Sequence, residues 1–547
     1  MASDLDRKFD ETLAAVTGPG GRIQVELDAQ GRPFVANFPG TLPALFRTFC
    51  GLNAQTEAVV AGSERLTFAE LNSLSERLAR ALAARGISKG DRIAIAMRNC
   101  PTWIVSYMAA LKAGAVATLL NGWWQSDEMA HALDLTKPAL ALADSTRAAR
   151  ISAANVISID VDLPIEQALA PLLEAGESDL PDIAPDDEAT ILFTSGSTGE
   201  SKGALSTHRA VTTGVYTYAS HLLTLLSILE SEGRPPPNPP RTLLSVPLFH
   251  VTGEVPVLLN SFVIGRGMVL MSKWDAGEAL RLIEKEKVTY FVGVPTMSLE
   301  LMTHPDHDKY DLSSLTDIAA GGAPRPIRHV ERLQKAFGWA QPALGYGLTE
   351  TNAVGCSNFW SSYAEKPAST GRAQKPFVEI AILGPNDAHL ATGERGEIAI
   401  RSAANMKCYW QNPDATKEIF TADGFVRSGD IGYLDEDGYL FIVDRKKEII
   451  IRGGENISTA EVEAACYACP DVAEAAVFGA PDERLGEVPV AVIRARNALD
   501  AESLRDFLHA TIAAFKIPAR FIFVDEPLPK LGTGKVDRIA LKALYGR

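Results

Sequence analysis

The segment "LTFAELNSLSERLARALAARG", followed closely by "RIAIAM", constrains the fold more than any other feature of the chain. Thr67 and Glu70 form a capping box, Leu71, Leu74, Leu78 and Leu82 recur at helical spacing, and Gly86 ends the run. A helix with one apolar stripe that hands over to an apolar strand must bury both against a common layer. The pattern continues through a helical "TWIVSYMAALKAG" and a short "AVATLL", and it returns around "TLLSVPLFH", "GMVLMS", "ALRLIEKEKVTYFVGVP" and "LTDIAAGG". This alternation predicts α/β layers on a mostly parallel sheet.

Two stretches depart from it. "ESEGRPPPNPPRT" is too rich in proline and charge for helix or central strand, and reads as an exposed loop ahead of the strand at Leu243. Beyond about residue 375 the strands "VEIAIL" and "GEIAIR" are short and alternating, and "IGYLDEDGYLFIVDR" reads as a hairpin turning at Asp437–Gly438, so a small antiparallel β subdomain is expected on the parallel part. After "DRKKEIIIRGGENIS" a second capping box, Ser458 with Glu461, opens a small α+β unit. The boundary is placed at Lys447, giving a large domain over 1–446 and a small mobile one over 447–547.

At 547 residues and 46% hydrophobic, the chain is too long for one ordinary core. Its net charge of -15 opposes nonspecific binding to nucleic acid or anionic membrane. "MASDLDRKFDETLAAV" lacks the apolar core of a signal peptide, and the most apolar run, "VPVLLNSFVIGRGMVLM", is broken by Asn260 and Arg266. A cytoplasmic protein without a transmembrane segment is expected, and a homodimer stays open. Cys466 and Cys469 make a CxxC with no second pair or histidine to complete a zinc set, so they are read as packed thiols. His304 and His307 are read as part of a solvated loop.

The stretch "ILFTSGSTGESKGALSTH" starts as a strand and becomes a loop of small residues, hydroxyls and one lysine, which suits close approach by an anion. It is not a Walker loop: Ser201 precedes Lys202 where glycine belongs, and Gly203 follows where the Mg²⁺-binding hydroxyl would sit. Together with "PLFH", "GGAPRP", "YGLTET", "SGDIGYLDEDGYLFIVDRKKEIIIRGGENIS" and "GTGKVDR", in this order from residue 191 to the C-terminus, the stretch resembles the adenylate-forming superfamily. Acyl-CoA synthetases, the adenylation domains of peptide synthetases and the beetle luciferases belong to it.

The resemblance implies a reaction in two halves. A carboxylate attacks the α-phosphate of ATP to give an acyl-adenylate and pyrophosphate, and a thiol then displaces AMP. Thr194, Ser195, Gly196, Ser197, Thr198, Gly199 and Lys202 are expected around the β- and γ-phosphates. Tyr346 is expected to stack on adenine, Thr349 to donate to the α-phosphate, and Glu350 to hold Mg²⁺, which takes one or two carboxylates plus phosphate and water oxygens. Gly321, Gly322 and Ala323 would line the adenine and acyl pockets with Gly347. Asp430 would accept the ribose hydroxyls and Arg445 would stand beside them.

His250 is expected to gate the passage between acyl and pantetheine channels, and Lys535 to reach the carboxylate and α-phosphate. The position matching the family's hinge is Lys447. Rotation there would withdraw Lys535 and bring Gly453, Gly454 and Glu455 to the pantetheine channel. Further pocket walls are expected from Phe249, Val251, Thr252, Gly253, Gly345 and residues 352–355, while Trp123 and Trp124 are read as core packing or surface stacking in preference to pocket wall. "IIIRGGENIS" resembles fatty-acyl and aryl-acyl CoA ligases, and no carrier domain is read at either end. An AMP-forming acyl-CoA synthetase is therefore expected, using ATP, Mg²⁺ and coenzyme A on a medium- or long-chain fatty acid. The alternatives are an aryl acid, or transfer to a separate carrier protein.

Overall fold

Helix Phe68–Ala84 is fixed at its start by a reciprocal cap: Thr67 Oγ1 accepts from the Glu70 N–H at 3.2 Å and Glu70 Oε2 from the Thr67 N–H at 2.7 Å. Its leucine stripe is buried throughout, Leu71, Leu78 and Leu82 completely. Each such side chain contributes about 1.5–3 kcal/mol on leaving water. The computed structural model that shows this describes residues 3–546 except 153–154, 195–200, 322–324, 326, 338, 447, 453–454, 483 and 532–534.

The helix packs with Pro101–Lys112 beside a seven-stranded sheet. In that sheet Val116–Leu119, Arg92–Ala96, Leu140–Asp144 and Val156–Ile159 run parallel, and Glu188–Phe193 extends the parallel set. The lysine that follows the glycine loop leads into a return strand, Gly203–Thr207, antiparallel to Glu188–Phe193, and the Thr194 N–H donates to the Lys202 carbonyl at 2.9 Å. The phosphate-loop candidate is thus the connection of a hairpin, which its sequence did not indicate.

A thirteen-stranded sheet forms the centre of the large unit. Gly267–Leu270, Arg241–Leu244, Tyr290–Gly293, Asp317–Ala320 and Gln341–Gly347 are parallel, and Gly355–Phe359 turns antiparallel to the last of them with Gly345 opposite Ser357 and Gly347 opposite Gly355. The antiparallel strands Val378–Leu383, Gly396–Ser402, Val426–Leu434 and Tyr439–Arg445 continue this same sheet through Gly371–Ala373, which pairs with both neighbours. They are joined edge to edge with the parallel part, because its last strand would otherwise present unpaired N–H and C=O groups.

Residues from Ile450 onward build their own five-stranded sheet and two apolar clusters, one around Val462, Val477 and Leu504 and one around Phe478, Val490 and Leu541. Cys466 and Cys469 are buried free thiols in the first of these.

The acidic N-terminus forms helix Asp4–Thr17, capped by Ser3, and its buried Asp6 accepts from the Tyr439 hydroxyl and Ser362. The reading of His304 and His307 as part of a solvated loop is corrected: both are half-buried. His307 sits in a short 3₁₀ turn with its ring edge-on to Phe337 at 5.1 Å. The run from Gly253 to Ile264 is a π-helical turn, Gly253–Leu259, continued by a short α-helix, Asn260–Ile264, and among the described residues no helix is long and apolar enough to cross a membrane.

Candidate active site

A cavity of about 1180 Å³ opens where the parallel strands end and the Val426–Arg445 hairpin meets the small C-terminal unit. It has two branches. One is lined by Thr194, Lys202, Thr349, Glu350, Arg445 and Lys535, and the other runs over one face of the central sheet beneath helix His208–Ser231.

The first branch is built from groups that act on anions. Glu350 lies in the 3₁₀ turn Thr349–Thr351 that follows the strand Gln341–Gly347, so the end of a rigid element sets its position. The Tyr409 hydroxyl donates to its Oε1 at 2.5 Å, and the Tyr409 ring lies under the Lys202 ammonium, 5.1 Å from its centroid. Tyr409 therefore joins the lysine of the glycine loop to the candidate metal ligand, a role that nothing in "MKCYW" signals. Among the described residues no group of three His, Cys, Asp or Glu side chains could cage a metal. A single carboxylate at Glu350 fits Mg²⁺ that takes its other oxygens from phosphates and water.

Asp430 is buried, and Arg445 Nε reaches its Oδ1 at 3.0 Å while the Tyr346 hydroxyl donates to its Oδ2 at 2.7 Å. Asp430 and Arg445 face each other across the hairpin register. Burial raises the Asp430 pKa and the Arg445 charge opposes this. Tyr346 and Asp430 stand just behind the cavity wall. The ring of Tyr346 is half-buried against the cluster of Cys356, Ile382 and Ile398, and burial raises its hydroxyl pKa well above the ordinary value.

Lys535, the C-terminal unit's contribution, is half-buried in the same wall, and its backbone carbonyl accepts from the Leu531 N–H at 2.7 Å. Burial and then the Arg445 charge bring its pKa down to about 8, while Asp430 and Glu448 oppose the shift. His250 lines the junction of the branches. Its Nδ1 accepts from the Thr252 N–H at 3.2 Å, and burial together with the Lys535 charge lowers its pKa to about 3, so the imidazole is neutral across the physiological range.

Ser195, Gly196, Ser197, Thr198, Gly199, Gly322, Ala323, Lys447, Gly453 and Gly454 lie outside the described residues. Glu455 begins a short strand and pairs there with Arg452. Gly321, Gly345, Gly347, Val251, Thr252 and Ala353 do line it. Phe249 is not among the lining residues and packs edge-on against Trp123, 4.9 Å between ring centroids. Gly253 packs against Pro247, and Asn352 is tied to Ser206 and the Ala404 carbonyl. The expected pocket walls are thus corrected at Phe249, Gly253, Asn352, Val354 and Gly355, none of which lines the cavity.

The model of the family described as "AMP-binding enzyme" matches residues 46–410, and that of its C-terminal domain matches 461–535. The chain belongs to the AMP-binding enzyme family. It is 35% identical over 500 residues to a feruloyl-CoA synthase of Amycolatopsis, covering 90% of this chain and 97% of the relative. It is 30% identical to a long-chain-fatty-acid–CoA ligase of Bacillus subtilis over 93% of this chain and 97% of the relative. The solved o-succinylbenzoate CoA synthetase of Bacillus subtilis, in complex with its acyl-adenylate intermediate, superposes with a TM-score of 0.79 at 30% identity, covering 91% and 97% of the two chains. With these relatives the AMP-binding enzyme described here is an acid–thiol ligase of the adenylate-forming superfamily.

Proposed function

We propose that this AMP-forming carboxylate–CoA ligase activates an acid with a large, mainly apolar body, and that it uses ATP with Mg²⁺ and passes the acyl group to coenzyme A. The observation that carries the reading is the convergence of Lys202, Glu350, Arg445 and Lys535 on one cavity that continues beneath helix His208–Ser231. In the first half-reaction a carboxylate oxygen bonds to the α-phosphorus and the bond to the pyrophosphate oxygen breaks. Two anions must meet, so cations have to be preorganised around them. Lys535, with a pKa of about 8, is mostly protonated at neutral pH, and approaching anions favour that charged form further. Glu350 would hold Mg²⁺, whose charge would help neutralise the phosphates. In the second half-reaction the thiol sulfur bonds to the carbonyl carbon, AMP leaves, and the thiol proton is released.

The size of the acid is read from the second branch, whose floor is made of Ala319, Gly321, Ala343 and Gly345 and whose roof includes Leu222 and Leu225. Small residues on the floor leave room for a chain or a ring. A medium- or long-chain fatty acid and an aryl acid both match relatives of this chain. The test is CoA-dependent release of AMP and pyrophosphate over a panel of carboxylic acids graded in length and ring content. Activity with acetate alone, or none without a carrier protein, would overturn the reading.

A further inference from the structure

The acyl branch does not end in apolar side chains. Strand alternation places Tyr290, Asp317, Ala319, Gly321 and Gly345 on its floor. Along the central strand this floor changes from glycine and alanine near the nucleotide branch to Asp317 at the other end, four residues or roughly 13 Å away.

That far end is a buried polar nest. Arg266 is 4% exposed, yet lines the cavity. Its Nε donates to Ser261 Oγ at 2.9 Å, its Nη2 donates to the Pro256 and Val257 carbonyls, and the guanidinium lies 4.7 Å over the Tyr290 ring. Asp317 accepts from Trp360 Nε1 at 2.9 Å and from Thr316 Oγ1 at 2.8 Å. Trp360 is held at φ 54°, a left-handed conformation costly for a bulky residue. Among the described residues neither Arg266 nor Asp317 makes an ion pair, and neither Arg266 Nη1 nor the Tyr290 hydroxyl has a hydrogen-bond partner. Asn260, one residue before Ser261, lines the cavity too, and its Oδ1 has no partner among the described residues.

A methyl-terminated chain or bare ring filling this end would seal these groups from water without giving them partners, which is unfavourable. A second carboxylate would meet Asp317 as well as Arg266. A neutral oxygen suits one cation and one anion together, since it can accept from Arg266 or Tyr290 and, as a hydroxyl, donate to Asp317. We propose that the acid activated here carries a hydroxyl or ketone oxygen remote from its carboxylate, recognised by Arg266, Tyr290 and Asp317. This rests on the carboxylate-ligase reading of the same cavity.

The experiment compares matched acids on the full chain: straight-chain acids of graded length with and without a terminal hydroxyl or a ketone near the end, aryl acids with and without a ring hydroxyl, and the corresponding dicarboxylates. Binding is read by calorimetry without ATP, and kcat/KM by AMP release with ATP and CoA. The oxygenated acid should bind and react at least about tenfold better than its unsubstituted partner. Tyr290→Phe and Asp317→Asn should each bring that ratio toward one. Equal or better performance of the unsubstituted acid in the parent protein overturns the proposal, as does preference for the dicarboxylate. Preferential binding of oxygenated acids with no AMP released would leave the recognition standing and remove the ligase reading. Turnover without preference would do the reverse.

Discussion

Two glycines on either side of Tyr346 show how finely the site depends on single residues. A Cβ added at Gly345 meets nothing within 4 Å, whereas one at Gly347 would lie 2.2 Å from the Ala353 carbonyl oxygen. Gly345→Val should therefore fill the acyl branch, lowering kcat/KM for large acids at least about tenfold while small acids are spared. Gly347→Val should instead lower stability by about 1–3 kcal/mol or more, read from the urea midpoint, because the backbone of Ala353 has to move. A chain-length shift in the Gly347 variant without a stability loss would refute this assignment. Lys535 makes a second prediction at this scale. In the proposed reaction its cation serves adenylation, while burial with the Arg445 charge favours the neutral amine, bringing its pKa to about 8. In the free enzyme, kcat/KM for ATP–pyrophosphate exchange should fall as pH rises through about 8. Arg445→Gln removes a charge that lowers this pKa, so the alkaline limb should move upward, and Lys535→Ala should lack it. A limb that stays put in both variants belongs to another group.

Elements explain what could be read in advance. The helix Phe68–Ala84 was legible because its cap and its leucine spacing are both local, and the hairpin at Asp437–Gly438 because a glycine with φ 79° marks the turn. Thr349, Glu350, Asp430 and Lys535 were legible only as pieces of a familiar motif order. Tyr409, which binds Glu350 and faces Lys202, was not, since it reaches them from a two-residue strand paired across the sheet edge to Gly203–Thr207. Nor was the π-helical turn at Gly253–Leu259, or the polar far end of the acyl branch, where Arg266, Tyr290 and Asp317 meet only because they sit at or just before the starts of three parallel strands. The junction of the large and small units also rests on a contact between elements. Asp444, at the end of its strand, accepts from the N–H of Thr459 at 2.7 Å, and Ser458 Oγ donates to the Val443 carbonyl at 2.8 Å. Asp444→Ala should leave a buried N–H unpaired and cost about 1–3 kcal/mol in urea unfolding, with greater susceptibility to proteolysis near residue 447. An unchanged midpoint would mean that the two units are held elsewhere.

At the scale of the whole molecule the site raises a problem of access. Lys535 lines the cavity next to Arg445 and close enough to His250 to depress its pKa, so in this arrangement the small unit forms part of the cavity wall. A thiol must later reach the same carbonyl carbon, and one fixed pose of the small unit cannot serve both steps. Rotation about a few backbone dihedrals near Lys447 would withdraw Lys535 after adenylation, a hinge motion of ordinary kind. Two variants should then fail in opposite halves. Lys535→Ala should lose acyl-adenylate formation by on the order of 10²-fold or more, a few kcal/mol of transition-state stabilisation, yet convert a supplied acyl-adenylate and CoA to thioester at close to the parent rate. Lys447→Pro should still exchange pyrophosphate but form thioester slowly, because a fixed φ opposes rotation at that position. The measurement supplies each variant with acid and ATP, and separately with synthetic acyl-adenylate and CoA. Loss of the same half-reaction in both variants would exclude alternation about Lys447 and require the thiol to enter past Lys535 where it now stands.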